Sequence, residues 1–105
     1  MAEILVTQAL NGSSLGIAAG DVVVLRLAEN PTTGYRWEVD ACPGLTLTGD
    51  QYSPQSTSTG AGGERVWRFT PPAFGTARIE ASLRRAWEAN VPPQTRFQVT
   101  FQVRP

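Results

Sequence analysis

Residues 96–103, in the last part of the chain, alternate strictly between polar and apolar side chains. The apolar positions are Phe97, Val99, Phe101 and Val103. Because successive side chains of a β-strand point to opposite faces, this period of two predicts a strand with one face in a core and the other in water. No stretch shows the 3.6-residue apolar period of a long helix. The sequence therefore predicts an all-β protein.

Further strand signals follow one another at short intervals along the chain. Residues 35–40 and 78–84 also alternate between polar and apolar side chains, and in residues 66–69 the aromatic Trp67 and Phe69 alternate with Val66 and Arg68. Residues 22–27 are apolar at nearly every position, which is typical of a strand buried on both faces. Shorter candidates are residues 4–6, 15–17 and 45–47. Together these segments predict seven or eight strands.

The segments between the strands are rich in Gly, Pro, Asn and Asp, which form tight turns. Many short strands separated by such turns favour an immunoglobulin-like antiparallel β-sandwich, and we expect one domain spanning residues 1–105. Cys42 is the only cysteine, so no internal disulfide can join the sheets. Large aromatic side chains are expected to join them instead, namely Trp37, Trp67, Phe69, Phe97 and Phe101. Residues 51–63, which are rich in Ser, Thr, Gln and Gly, are predicted to form a long mobile loop.

Composition argues against several classes of function. Nine arginines balance nine acidic residues and lysine is absent, so no basic field exists for nucleic acid or an anionic membrane. The apolar runs are far shorter than the roughly 20 residues that span a bilayer. Without histidine, the chain lacks the usual general base of Ser-His and Cys-His sites and the commonest transition-metal ligand. We therefore expect no enzyme activity, no cofactor and no metal.

The start of the chain bears on its compartment. Its first residues lack the basic start and the apolar segment of a signal peptide. The compartment stays open on this basis: cytoplasmic for the chain as written, and periplasmic or secreted if a leader has been removed.

Three short segments combine turn-forming residues with groups suited to binding. Residues 30–34 read Asn-Pro-Thr-Thr-Gly, and their proline and glycine predict a stiff, shaped turn directly before a strand. Residues 60–63 read Gly-Ala-Gly-Gly, which taken alone is typical of a flexible hairpin tip. Residues 85–87 read Arg-Ala-Trp, where the period of two places Trp87 on the core face without settling its exposure.

In this order and at these spacings, the three segments resemble the loop motifs of the chagasin-type inhibitors of cysteine peptidases. The resemblance covers nearly the whole chain and includes the aromatic residue after the first motif. The Asn-Pro-Thr-Thr-Gly and Gly-x-Gly-Gly motifs match completely. In the third motif, Ala86 stands where family members usually have proline.

The resemblance implies a sandwich whose three loops lie together at one end and wedge into the active-site cleft of a papain-like cysteine peptidase. The first motif would cover the enzyme's catalytic cysteine and histidine, and the other two would line the two sides of the cleft. The implied peptidase-binding residues are Asn30, Pro31, Thr32, Thr33, Gly34, Gly60, Ala61, Gly62, Gly63, Arg85, Ala86 and Trp87. Such an inhibitor acts reversibly by occupancy and is a monomer when free. The alternative is an immunoglobulin-like adhesion or carbohydrate-binding module.

Overall fold

Eight strands form in the part of the chain that the computed structural model describes, which comprises residues 2–54, 62–88 and 90–105. In chain order they are β1 (Glu3–Val6), β2 (Ser14–Ala18), β3 (Val22–Glu29), β4 (Tyr35–Ala41), β5 (Thr46–Pro54), β6 (Gly63–Thr70), β7 (Gly75–Arg85) and β8 (Thr95–Arg104). Two short 3-10 helices, Gln8–Leu10 and Pro31–Thr33, lie between strands. Within the described ranges, no helix is long and apolar enough to cross a membrane.

The strands form two four-stranded sheets, in the orders β1-β3-β6-β5 and β2-β8-β7-β4. Pairing is antiparallel except at one edge of each sheet, where β1 runs parallel to β3 and β2 runs parallel to β8. The predicted all-β sandwich of seven or eight strands is confirmed, with eight. The parallel edge pairs could not be predicted, because alternation shows which face of a strand is buried but not which neighbour the strand joins.

Aromatic side chains fill the space between the two sheets. Trp67, Phe69, Phe97 and Phe101 are at most 2% exposed, and Trp37 is also buried. The five expected core aromatics therefore all lie in one apolar cluster, against which the half-buried Cys42 packs. Because a single cysteine cannot form an internal disulfide, burial of this apolar surface is what holds the sheets together.

The predicted long loop at residues 51–63 is wrong at both of its ends. β5 continues through residues 51–54, and Pro54 pairs with Gly63 at the start of β6. β5 is an edge strand whose side chains are mostly exposed, so backbone hydrogen bonds to β6 hold it without an apolar period that the sequence could display. Residues 55–61, the middle of the predicted loop, lie outside the described residues.

Three connections leave the sandwich at the same end. Glu29, the last residue of β3, pairs with Gly63 at the start of β6. Tyr35, the first residue of β4, pairs with Arg85, the last residue of β7. The connections that follow β3, β5 and β7 therefore begin at one end of the sheets. We call residues 30–34 loop 1, residues 55–62 loop 2 and residues 86–94 loop 3.

Candidate functional site

Loop 1 is closed by hydrogen bonds within its own five residues. Asn30 Oδ1 accepts hydrogen bonds from the Thr32 N–H at 3.1 Å and the Thr32 hydroxyl at 2.7 Å. The carbonyl oxygen of Asn30 accepts from the Thr33 N–H at 3.1 Å and from the Thr33 hydroxyl at 2.8 Å. Gly34 then turns the chain into β4 with a φ of +81°, in the left-handed region that favours glycine. Loop 1 is thus a shaped projection whose form its own sequence specifies.

A buried carboxylate fixes the base of loop 1. Glu29 is 4% exposed, and its Oε1 accepts a 2.7 Å hydrogen bond from the backbone N–H of Trp37. The indole N–H of Trp37 donates to the carbonyl oxygen of Ala28 at 2.9 Å. Because Trp37 belongs to β4 in the other sheet, these two bonds tie the sheets together below loop 1. Glu29 Oε2 also lies 3.8 Å from Arg65, whose hydrogen bond to Asp50 raises the pKa of its guanidinium.

Arg85 joins loop 1 to loop 3. Its Nε donates a 3.1 Å hydrogen bond to the carbonyl oxygen of Thr33. Its guanidinium carbon lies 4.4 Å from the centroid of the Tyr35 ring and 5.8 Å from that of the Trp87 ring. Its Nη1 is 3.7 Å from Glu88 Oε1. One guanidinium therefore contacts the end of loop 1, the start of β4 and the start of loop 3.

Trp87 is an exposed residue whose ring packs against Gly34 of loop 1. It is 72% exposed, because β7 ends at Arg85 and the chain turns away from the core at Ala86. The core-face position that alternation indicated for Trp87 is therefore not the one it takes. Its ring lies against Gly34, where a Cβ atom would meet three atoms of the indole at less than van der Waals separation. Loops 1 and 3 are thus in direct contact.

The glycine-rich motif divides between loop 2 and strand β6. Gly60 and Ala61 lie outside the described residues. Gly62 has room for a methyl group, since a Cβ would be 3.7 Å from the Glu29 carbonyl oxygen. Gly63 has none, because a Cβ there would lie 2.8 Å from Pro54 Cα and closer still to other atoms of β5. Gly63 is therefore a buried strand residue that the β5–β6 pairing requires, whereas Gly62 is free of that constraint.

Two residues outside the predicted set contribute to the site. Tyr35 supports the Arg85 guanidinium, and Glu29 fixes the base of loop 1. Both line an open groove of about 500 Å³ between the ends of the two sheets. Tyr35 carries a sequence signal, being the aromatic residue directly after the first motif. Glu29 carries none, because its partner Trp37 meets it only in the folded chain.

The assembled site offers binding groups rather than reacting ones. Exposed threonine hydroxyls, a guanidinium and a broad indole face lie together at one end of the sandwich. The chain has no histidine, and Cys42 follows the end of β4 that is remote from loop 1. Ordered loops 1 and 3 with an exposed aromatic, mounted on an immunoglobulin-like sandwich, define a binding module.

Comparison with known proteins shows which kind of binding module this is. The sequence profile described as Chagasin family peptidase inhibitor I42 matches residues 17–101. Chagasin from Trypanosoma cruzi is 33% identical over 101 residues, which cover 90% of this chain and 92% of chagasin. Amoebiasin-1 from Entamoeba histolytica is 36% identical over 93 residues, or 85% and 89% of the two chains. The crystal structure of a cysteine protease inhibitor from Entamoeba histolytica shares the fold, with a TM-score of 0.88 over 99% of this chain and 97% of that one at 24% identity.

The chain belongs to the chagasin family of peptidase inhibitors. It is an inhibitor of cysteine peptidases and not an enzyme. The assignment decides against the adhesion or carbohydrate-binding alternative.

Proposed function

We propose that this protein inhibits papain-like cysteine peptidases by inserting loops 1, 2 and 3 into the active-site cleft and blocking it by occupancy. The observation that carries the proposal is the closed form of loop 1, which its own hydrogen bonds hold together with Arg85 at the end of β7 and Trp87 in loop 3. A loop that is already ordered loses little conformational entropy on binding, so more of the contact energy appears as affinity.

Loop 1 is assigned to the catalytic centre. Asn30, Pro31, Thr32, Thr33 and Gly34 would lie over the enzyme's cysteine and histidine. Cleavage requires a carbonyl oxygen free to enter the oxyanion hole of the enzyme. The Asn30 carbonyl already accepts two hydrogen bonds from Thr33, and the Thr33 carbonyl accepts one from Arg85. Two carbonyls of the loop are thus engaged within the inhibitor, which favours occupancy over hydrolysis.

Loop 3 is assigned to one wall of the cleft, with Trp87 as its anchor. A large aromatic that becomes buried at an interface commonly dominates the binding energy. Contact with Gly34 and with the Arg85 guanidinium restricts the ring before binding, which lowers the entropy lost when the complex forms. Ala86 lies between Arg85 and Trp87 in the turn, and it would add only a methyl group to this wall of the cleft.

Loop 2 is assigned to the opposite wall of the cleft. Gly60, Ala61 and Gly62 would approach the peptidase with their backbone, since small residues allow close approach. Gly63 would act at the foot of the loop, where β6 begins.

Titration of active-site-titrated papain with the inhibitor tests the proposal. We expect one equivalent to abolish hydrolysis, the inhibition to be reversible on dilution, and the recovered inhibitor to have an intact loop 1 by mass spectrometry. Trypsin, a serine peptidase, should stay active.

The variant Cys42→Ser should inhibit papain as the natural protein does, because Cys42 lies away from the loops and has no histidine to activate it. Papain that stays fully active with excess inhibitor would falsify the proposal.

A further inference from the structure

Three arginines share the outer face of the second sheet, next to the loops. Arg36 on β4 lies directly opposite Arg84 on β7 in the antiparallel register. Arg96 on β8 lies opposite Ser82, the neighbour of Arg84 two residues along the same strand face. We call Arg36, Arg84 and Arg96 the arginine patch.

The arginine patch forms no ion pair within the described part of the chain. Five other arginines each have a carboxylate oxygen within 4 Å, namely Arg26, Arg65, Arg68, Arg78 and Arg85. The three patch arginines have no such ion pair among the described residues, and the Nε of Arg84 is buried with no hydrogen-bond partner there. Glu38 and Asp40 lie on the same face of β4 as Arg36, and neither forms an ion pair with the patch. Asp40 accepts a 3.1 Å hydrogen bond from the Ser82 hydroxyl instead.

Ion pairs within the fold do not account for this arrangement. Like charges directly opposite each other on neighbouring strands destabilise a sheet. A chain with equal numbers of acidic and basic residues has carboxylates enough to pair every arginine. Like charges placed opposite each other without a direct ion pair point to a function of the residues involved.

The position of the patch indicates its partner. Arg36 is two residues beyond Gly34, which ends loop 1. Arg84 directly precedes Arg85, the last residue of β7 before loop 3. Any enzyme that receives loops 1 and 3 therefore brings the rim of its cleft alongside this face. Guanidinium groups match carboxylates in geometry as well as in charge, and bind them bidentately.

We infer that the arginine patch binds carboxylate side chains on the rim of the target peptidase, and that it makes the inhibitor selective for peptidases with an acidic rim. The inference rests on the proposed function, because it requires the loops to occupy the cleft. Charges at the edge of an interface act mainly on the association rate and lose their effect as salt screens them. Selectivity should therefore appear in association rather than in the final stoichiometry.

The test compares two triple variants that remove equal charge. The patch variant carries Arg36→Gln, Arg84→Gln and Arg96→Gln. The control carries Arg26→Gln, Arg68→Gln and Arg78→Gln, which alter ion-paired arginines elsewhere on the surface. Association rate constants are measured on papain-like peptidases with acidic and with basic cleft rims. Ionic strength is varied from about 0.01 M to 0.15 M, over which the Debye length falls from about 30 Å to 8 Å.

We expect the patch variant to associate with acidic-rim peptidases about tenfold or more slowly at low salt, and the difference to shrink at high salt. The control removes the same net charge and should match the natural protein on acidic-rim enzymes within about twofold. Equal slowing of both variants, or equal slowing on acidic and basic rims, would overturn the inference. The inference would also be overturned if the patch variant associated with peptidases at the natural rate but no longer bound a sulfated polysaccharide. The patch would then serve the polysaccharide as its partner.

Failure of this inference is distinguishable from failure of the proposed function. The natural protein and the patch variant should both reach complete inhibition at saturation. If the natural protein does not inhibit at all, the proposed function fails first. If the triple variant unfolds, the single variant Arg36→Gln is used, because Arg36 is exposed. Its association rate constants are compared with those of Arg78→Gln, and the same differences decide the inference.

Discussion

The indole ring of Trp87 lies against Gly34 so closely that no side chain fits between them. A Cβ on Gly34 would be 3.2 Å from Cζ2 and 3.3 Å from Cζ3 of the ring, and closer still to Cη2. Gly34 also has a φ of +81°, which residues with side chains rarely adopt. The last residue of the first motif therefore serves two loops at once, since it turns loop 1 and seats the aromatic of loop 3.

We expect Gly34→Ala to weaken inhibition more than it weakens the fold. The left-handed backbone strains an alanine by about 1–3 kcal/mol, and the methyl group displaces Trp87. The core is remote from this contact, so the loss should fall mainly on affinity. Inhibition constants and denaturant unfolding measure the two effects. In a Trp87→Ala background the displacement no longer matters, so Gly34→Ala should then cost less affinity; equal costs in both backgrounds would contradict the contact's role.

Trp87→Ala separates an interface anchor from a core residue. With Trp87 mostly exposed, its removal should cost about 2 kcal/mol or more of binding, roughly 30-fold, and little unfolding free energy. Phe74→Ala is the matched control, since Phe74 is 70% exposed just before β7, at the opposite end of that strand from Trp87. Phe74→Ala should leave inhibition unchanged. An equal loss of affinity in both variants would argue against a specific anchor.

Arg85 is expected to act largely by positioning its neighbours. Arg85→Met removes the bond to the Thr33 carbonyl and the contact with the Trp87 ring, and should reduce affinity about tenfold. Arg85→Lys keeps the charge but not the planar fork, so it should recover only part of the loss. Arg78→Met, on the same strand, should have no effect on inhibition. In a double-mutant cycle with Trp87→Ala the losses should be non-additive; strict additivity would mean that Arg85 acts independently of Trp87.

The two described glycines of the second motif should respond differently to alanine. Gly63→Ala places a methyl group against the backbone of β5 and should destabilise the fold by about 1–3 kcal/mol. Gly62→Ala meets only ordinary contacts, so the fold should tolerate it while inhibition weakens if loop 2 lines the cleft. Thermal unfolding and inhibition constants are compared for each variant. Loss of stability in Gly62→Ala with affinity retained would place this residue in a structural turn instead.

Asp21 should make stability sensitive to acid. Its carboxylate accepts hydrogen bonds from the backbone N–H of Ala18 at 2.9 Å and from the backbone N–H of Ala2 at 3.1 Å. The bond from Ala18 is the chief cause that lowers the pKa of Asp21 below its ordinary value of 3.8. A carboxyl group with a lowered pKa in the folded state contributes stability above its unfolded pKa and loses it as the pH falls through the folded pKa. Asp21→Asn should therefore lose less stability than the natural protein between about pH 6 and pH 2, by denaturant unfolding. An unchanged pH dependence would exclude the link.

Local patterns in the sequence were enough to predict the core aromatics and most of the strands. The alternation in residues 96–103 identifies β8 and its buried face, because a period of two is a property of the strand itself. The same reasoning finds the core aromatics, from Trp37 to Phe101. The first motif likewise specifies loop 1, since its hydrogen bonds join residues within three positions of one another.

The tertiary structure decided whatever depends on contacts between distant residues. Alternation continued past Arg85 would bury Trp87, but β7 ends there and the turn exposes the ring. Composition alone made residues 51–54 a loop, whereas pairing with β6 makes them a strand and leaves no space for a side chain at Gly63. The Glu29 contact with Trp37 likewise exists only once the two sheets meet. Local periodicity encodes which face of a strand is buried, but register and sheet packing determine which distant residues touch, and these arise only when the whole chain folds.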